Sequence, residues 1–201
     1  MRTIKRIICV IIVVVIAFFY AHVDKLSYFY DRKQDTGDYI ATGILTDREL
    51  TQEFVIDTDR VTGVQVKATV YGEVEDVEVF YKLIDNESEK AICEGTIPGT
   101  DFENNRFYDL DFDTKEPLGG KNVTLVLGET GSDETNGIGF SVGDKGNSGI
   151  SGELYVGGNS TAGTLVARTV EHGFDIETFV IFLAFIAYIV VFMKILYKLF
   201  K

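Results

Sequence analysis

The chain contains no tryptophan, only two histidines and two cysteines, and no acidic residue in its first 23 or last 24 positions. Each shortage removes a class of chemistry. Without tryptophan the largest aromatic stacking platform is missing. His22 and His172 each stand just outside an apolar run, whereas a Ser–His–Asp arrangement needs a histidine held in a rigid site. Facing each other across two helices, they would offer a metal two ligands, too few to close a tetrahedral site. Cys9 sits inside the first apolar run and Cys93 far outside it, so a lipid boundary separates them and no intrachain disulfide is expected. No metal-ligand spacing, Walker loop or Gly-x-Ser-x-Gly elbow occurs. An enzyme is therefore not expected, and a carboxylate-dependent hydrolase is the remaining catalytic alternative.

Two apolar runs bracket the chain, Ile7–Ala21 and Phe179–Met193. A helix over the first measures ~22 Å at 1.5 Å per residue, short of the ~30 Å hydrocarbon core. Arg2, Lys5, Arg6 and His22 flank it, and long basic side chains snorkel to the interface. Lys194 does the same for the second run, which Ile195, Leu196 and Tyr197 continue. A cleaved signal peptide has the same basic start, but the exit Phe18-Phe19-Tyr20-Ala21-His22-Val23 lacks a small-x-small cleavage site. An uncleaved anchor is expected. Ala184 and Ala187 are the small residues of the second run, spaced i,i+3 and not in the small-xxx-small pattern.

Flanking charge sets the orientation. Six of the 19 Lys and Arg residues lie in the terminal flanks and none of the 31 Asp and Glu residues do, which leaves 13 positive and 31 negative charges between the runs, a net of −18. The expectation is a two-pass plasma-membrane protein with both termini cytoplasmic. It has a basic N-terminus at 1–6, a first span at 7–23 and a connector at 24–48. An extracytoplasmic domain follows at 49–172, then a linker at 173–178, a second span at 179–197 and a basic end at 198–201. Asp24–Thr46, with Tyr28, Tyr30 and Tyr39, reads as a juxtamembrane stalk whose tyrosines sit near the headgroups or as a poorly ordered connector. A domain of net −18 holds neither nucleic acid nor anionic lipid by overall charge. Without disulfides it depends on its core, a usage that fits a bacterial surface protein. The sequons at Asn86, Asn122 and Asn159 are chance matches on that reading.

Between the runs the hydrophobic period is two. Val64, Val66, Ala68 and Val70 alternate with Gln65, Lys67, Thr69 and Tyr71. Similar alternation marks Val77–Leu83, Tyr108–Phe112, Val123–Leu127, Leu154–Val156 and Leu165–Val170, with Gly and Asn clusters between. Eight or nine short strands with no intervening helix predict an all-β ectodomain, a jelly-roll-type antiparallel β-sandwich, flanked by two transmembrane α-helices.

The order of several phrases resembles the extracytoplasmic β-sandwich module of Gram-positive cell-envelope glycosyltransferase and polysaccharide-synthesis membrane proteins. The matching phrases are Gln52-Glu-Phe54, Val64–Tyr71, Val77–Asp85, Tyr108-Asp-Leu-Asp-Phe112, Gly120-Lys-Asn-Val-Thr-Leu125 and Gly152-Glu-Leu-Tyr-Val-Gly-Gly158. The resemblance covers roughly Glu49–Val170 and implies a fold like that of carbohydrate-binding modules. It implies a non-enzymatic accessory role in envelope polysaccharide synthesis or export, with a larger polytopic membrane protein and a glycan as partners. A structural or protein–protein interaction module docking on a larger membrane complex is the alternative. The polytopic enzyme core is not in this chain, so no transferase activity carries over.

On that resemblance Tyr71, Phe107 and Tyr155 are the candidate sugar platforms in place of tryptophan, against the alternative that they are ordinary half-buried strand residues. Sugar modules of this type often hold a structural Ca²⁺, which takes six to eight oxygen ligands. Asp109, Asp111 and Asp113 on one strand face, with Glu129, Asp133 and Glu134 in the following loop, are the candidate ligands. Strand spacing puts the first three ~6–7 Å apart, too wide to clamp one ion alone. A solvated acidic face that blocks strand-edge association is the preferred reading of these carboxylates. No cofactor other than Ca²⁺ is implied.

Overall fold

The structure, a computed structural model, describes residues 2–112, 117–147 and 149–200, without the side chains of residues 2, 3, 5, 6 and 9. The chain divides into two compact units, Lys25–Glu171 and the paired ends Met1–Asp24 with His172–Lys201.

Among the described residues the first unit has thirteen strand segments. They are β1 Lys25–Tyr28, β2 Ile40–Ala41, β3 Leu50–Val55, β4 Val61–Tyr71, β5 Glu78–Asp85, β6 Lys90–Pro98, β7 Phe107–Asp111, β8 Asn122–Thr130, β9 Gly137–Gly143, β10 Ser151–Val156, β11 Asn159–Thr161, β12 Thr164–Leu165 and β13 Ala167–Glu171. They form two antiparallel sheets. The seven-stranded sheet runs β1-β13-β4-β9-β12, with β2 also on β9 and β7 also on β4, and the six-stranded sheet runs β11-β10-β3-β8-β5-β6. The period-two pattern decides which side of each strand faces in. Val64, Val66 and Ala68 of β4 point one way and Gln65 and Lys67 the other, and Leu50, Gln52 and Phe54 of β3 are all fully buried. Both sheets feed one apolar cluster, with Leu110, Phe140 and Leu165 from the first sheet and Phe54, Leu83, Leu125 and Leu154 from the second. Each such side chain contributes about 1.5–3 kcal/mol by leaving water.

Residues 24–48, expected as a connector, belong to the sheets. β1 pairs with β13 from Lys25↔Glu171 to Tyr28↔Arg168, β2 pairs with β9, and Phe29 and Leu45 are fully buried. The β1 alternation is only Leu26 and Tyr28, too short to stand out in a charged segment. Gly137–Gly143, which no alternation in the sequence marked, is likewise a fully buried strand. Glycine serves a close approach there: a Cβ on Gly139 would come 2.6 Å from the Gly43 carbonyl.

One polar tie links the two sheets and another lies within the six-stranded sheet. Gln52, fully buried in β3, accepts hydrogen bonds at Oε1 from Thr164 Oγ1 (3.0 Å) and the Leu165 N–H (2.9 Å) of the other sheet. Its Nε2 donates to the Glu53 carbonyl at 2.8 Å. Asp85 accepts from Lys121 Nζ at 2.9 Å and from the Glu87 N–H at 2.9 Å. The Lys121 bond, followed by the Glu87 bond, holds its carboxyl down at about 2 against an ordinary 3.8. A depressed carboxylate contributes stability above its unfolded value and loses it as pH falls through the folded one. Stability should therefore drop between about pH 4 and pH 2. Asp85→Asn should flatten that part of the curve in thermal melts, and parallel curves would remove Asp85 as the cause.

In the second unit α1 (Arg2–Tyr20) and α2 (Ile176–Leu199) are antiparallel neighbours. The Asp175 N–H donates to the Ala21 carbonyl at 2.9 Å, His22 bridges to Phe174, and the Tyr20 and Phe182 rings stack at 4.7 Å. Asp175 caps α2 by accepting from the Glu177 and Thr178 N–H groups at 2.9 and 3.2 Å. Among the described residues α2 is the one helix long and apolar enough to cross a membrane, and the second apolar stretch is the shorter Val10–Tyr20. Where two full spans were expected, one is present by that measure among the described residues.

Candidate functional site

The outward side of the seven-stranded sheet is where cations and rings converge. Register makes a row of Tyr28 on β1, Arg168 on β13, Gln65 on β4 and Asp109 on β7, with Lys67 opposite Phe107 one step along. These residues share a face because alternate positions of β4 are committed to the core. Arg168 Nε donates to Gln65 Oε1 at 2.5 Å, and Gln65 Nε2 donates to Asp109 Oδ1 at 2.6 Å. The Arg168 guanidinium lies over the Phe107 ring at 4.2 Å and within 5.7 Å of the Tyr28 ring. From the segment between β1 and β2, Arg32 stacks on Tyr28 at 4.5 Å and Tyr39 covers the Lys67 ammonium at 4.9 Å. Tyr30 joins them, edge-on to Tyr28 (5.6 Å) and Tyr39 (5.8 Å) and stacked on Phe107 at 6.4 Å.

Burial acts on this group as expected for charges and phenols taken from water. It lowers the Lys67 ammonium and raises the Tyr30 hydroxyl, and it raises Tyr39, with Asp31 and Asp35 adding to the effect. Beside the cluster lies an open groove of about 560 Å³ lined by Tyr28, Tyr30, Asp31, Arg32, Lys33 and the Gly146-Asn147 turn. That volume lies within the range of small-ligand sites.

The residues singled out from sequence are dispersed. Phe107 is in the cluster, but its ring is already engaged by Arg168 and Tyr30. Tyr71 ends β4 and lies against Gly139, while Tyr155 is on the other sheet, opposite Thr51 and Ser160. Of the carboxylates, Asp109 is bound to Gln65, Asp111 is exposed on β7, and Asp113 lies outside the described residues. Glu129 is buried on β8, where it accepts from the Leu45 N–H (2.5 Å) and the Ile138 N–H (2.7 Å), and burial pushes its carboxyl up. Asp133 closes the β8–β9 turn. It accepts from the Thr135 and Asn136 N–H groups, and the Thr135 backbone bond leads in holding it well below the carboxylate range. Among the described residues no group of three or more His, Cys, Asp or Glu side chains could hold a metal ion. His22 bonds to the Phe18 carbonyl and His172 to Asp24, so each histidine has its own partner.

Sequence reasoning missed Arg32, Lys33, Lys67 and Arg168 as a group. The available signal was the adjacent pair Arg32-Lys33 next to tyrosines in a strongly acidic domain. Fold and site together define a two-sheet antiparallel β domain with a basic, aromatic face, on a chain that also carries a membrane-length helix. No protein-family model matches the chain, and no curated protein matches it.

Proposed function

We propose that this is a two-pass envelope protein that displays a jelly-roll-type β-sandwich on the outer side of the plasma membrane. It binds without catalysing, beside a larger polytopic machine of polysaccharide synthesis or export. The observation that carries the reading is the clustering of Tyr28, Tyr30, Tyr39 and Phe107 with Arg32, Lys67 and Arg168 on one sheet face. Such a surface offers contact area and fixed donors. Further support comes from the two sheets around one core, the adjoining ends of α1 and α2, the basic termini and the ordered strand phrases. In this reading α1 crosses despite its short apolar run, by snorkelling of Arg2, Lys5 and Arg6. The test is to purify the full-length chain from its own membrane in mild detergent and identify by mass spectrometry what remains with it. A polytopic glycosyltransferase, polymerase or flippase in stoichiometric amount is the expected result. A chain recovered alone overturns the accessory role.

A further inference from the structure

The groove beside Tyr28 holds two adjacent cations. The domain between the apolar runs has 31 acidic residues against 13 basic ones. Among the described residues Lys82, Arg106, Lys121 and Lys145 have a carboxylate partner, whereas Arg48, Arg60, Lys67, Lys90 and Arg168, like the groove pair, do not. Arg32 and Lys33 are adjacent, exposed and on the groove wall, yet among the described residues neither has an ion-pair partner. The one acid on that wall, Asp31, turns Oδ1 back to accept the Lys33 N–H at 2.9 Å. Arg32 is held in place by stacking on Tyr28, whose ring also has Arg168 within cation–π range. Arg168 is in turn braced by Gln65. A guanidinium fixed on an aromatic face presents its fork with little rotamer entropy left to lose.

We infer that this groove is a binding site for a single phosphate group, with Arg32 and Lys33 as its direct contacts and Tyr28 and Arg168 as positioning residues. A phosphate monoester carries about −1.5 to −2 charges and three strong acceptor oxygens, which suits a guanidinium fork and an ammonium on adjacent residues of one groove wall. The net charge of −18 sharpens the prediction. It repels long polyanions, while a small phosphate-bearing ligand enters a local positive field inside the ~10 Å screening length. The phosphate is carried either on a soluble saccharide or on a lipid headgroup. The site does not depend on the accessory role, so either result of the co-purification leaves it standing.

The test uses the full chain in a non-ionic polyoxyethylene detergent, which has neither phosphate nor sugar. Glucose 1-phosphate is titrated by calorimetry, with glucose as the control. Saturable binding of the phosphate ester alone is expected, weakened at least tenfold by Arg32→Ala and by Lys33→Ala. Arg32→Lys, which keeps the charge and loses the fork, should fall between. Repeating the titration in phosphatidylglycerol nanodiscs separates the sources. Loss of binding there supports the site with a lipid headgroup as its occupant, and retention supports it with a soluble phosphate. Absence of saturable binding in detergent, or binding that both alanine variants leave unchanged, overturns the inference. Because both side chains are exposed, unchanged melting of the variants will separate loss of the site from loss of the fold.

Discussion

Phe29→Ala should cost the β domain about 3–5 kcal/mol and lower its thermal midpoint by roughly 6–20 °C. The Phe29 ring is fully buried and packs against Phe54 at 4.8 Å. Its backbone is also committed: the N–H donates to Ala167, and the carbonyl accepts from the Gly146 N–H and Ser151 Oγ. Truncation therefore leaves a cavity in a place where the flanking chain is pinned and relaxes little. Ile40→Ala, in the same segment but 73% exposed, serves as the control and should shift stability by no more than about 0.5 kcal/mol. Melts of the full chain in detergent, followed by near-ultraviolet circular dichroism, measure both. Equal, negligible shifts would mean that residues 24–48 are detached from the core after all.

Gln52→Leu is the second large effect. The new side chain has nearly the volume of the old, so the loss is one of hydrogen bonding. The Leu165 N–H and the Thr164 hydroxyl, both buried, lose their acceptor. Each unsatisfied buried group costs about 1–3 kcal/mol, for a total of about 2–6 kcal/mol. Adding Thr164→Val removes one orphan and should return part of the stability, while the Leu165 N–H keeps the remainder unrecovered. The coupling is read from the double-mutant cycle. Additive penalties would show that Gln52 and Thr164 act independently, and a Gln52→Leu chain as stable as the wild type would deny the tie any net weight.

The legible parts of this fold are those set by local periodicity. The alternation Val64–Tyr71 places one face of β4 inward whatever lies on the other side of the core, and Val123–Leu127 does the same for β8. The strands that escaped notice have no period of their own to show. β9 has three glycines in seven residues, two of them where Gly43 and Ile44 press against it, and β1 is four residues long and gains its place by pairing with β13, some 140 positions later. Tyr28, Tyr30 and Tyr39 were visible as residues, but belts near a membrane and clusters on a sheet have the same composition. What separates them is the partner across the strand.

Composition and order alone determined the acidic character of the middle segment, the apolar ends with basic flanks, and the two-sheet β class, because net charge and period-two burial are properties of the chain itself. Tertiary structure decided which carboxylates bind backbone, which rings are covered by cations, and that Arg32 and Lys33 stand beside Tyr28 without ion-pair partners among the described residues. Those outcomes depend on residues brought together from opposite ends of the domain, and a distance of that kind is created only when the sheets close around the core.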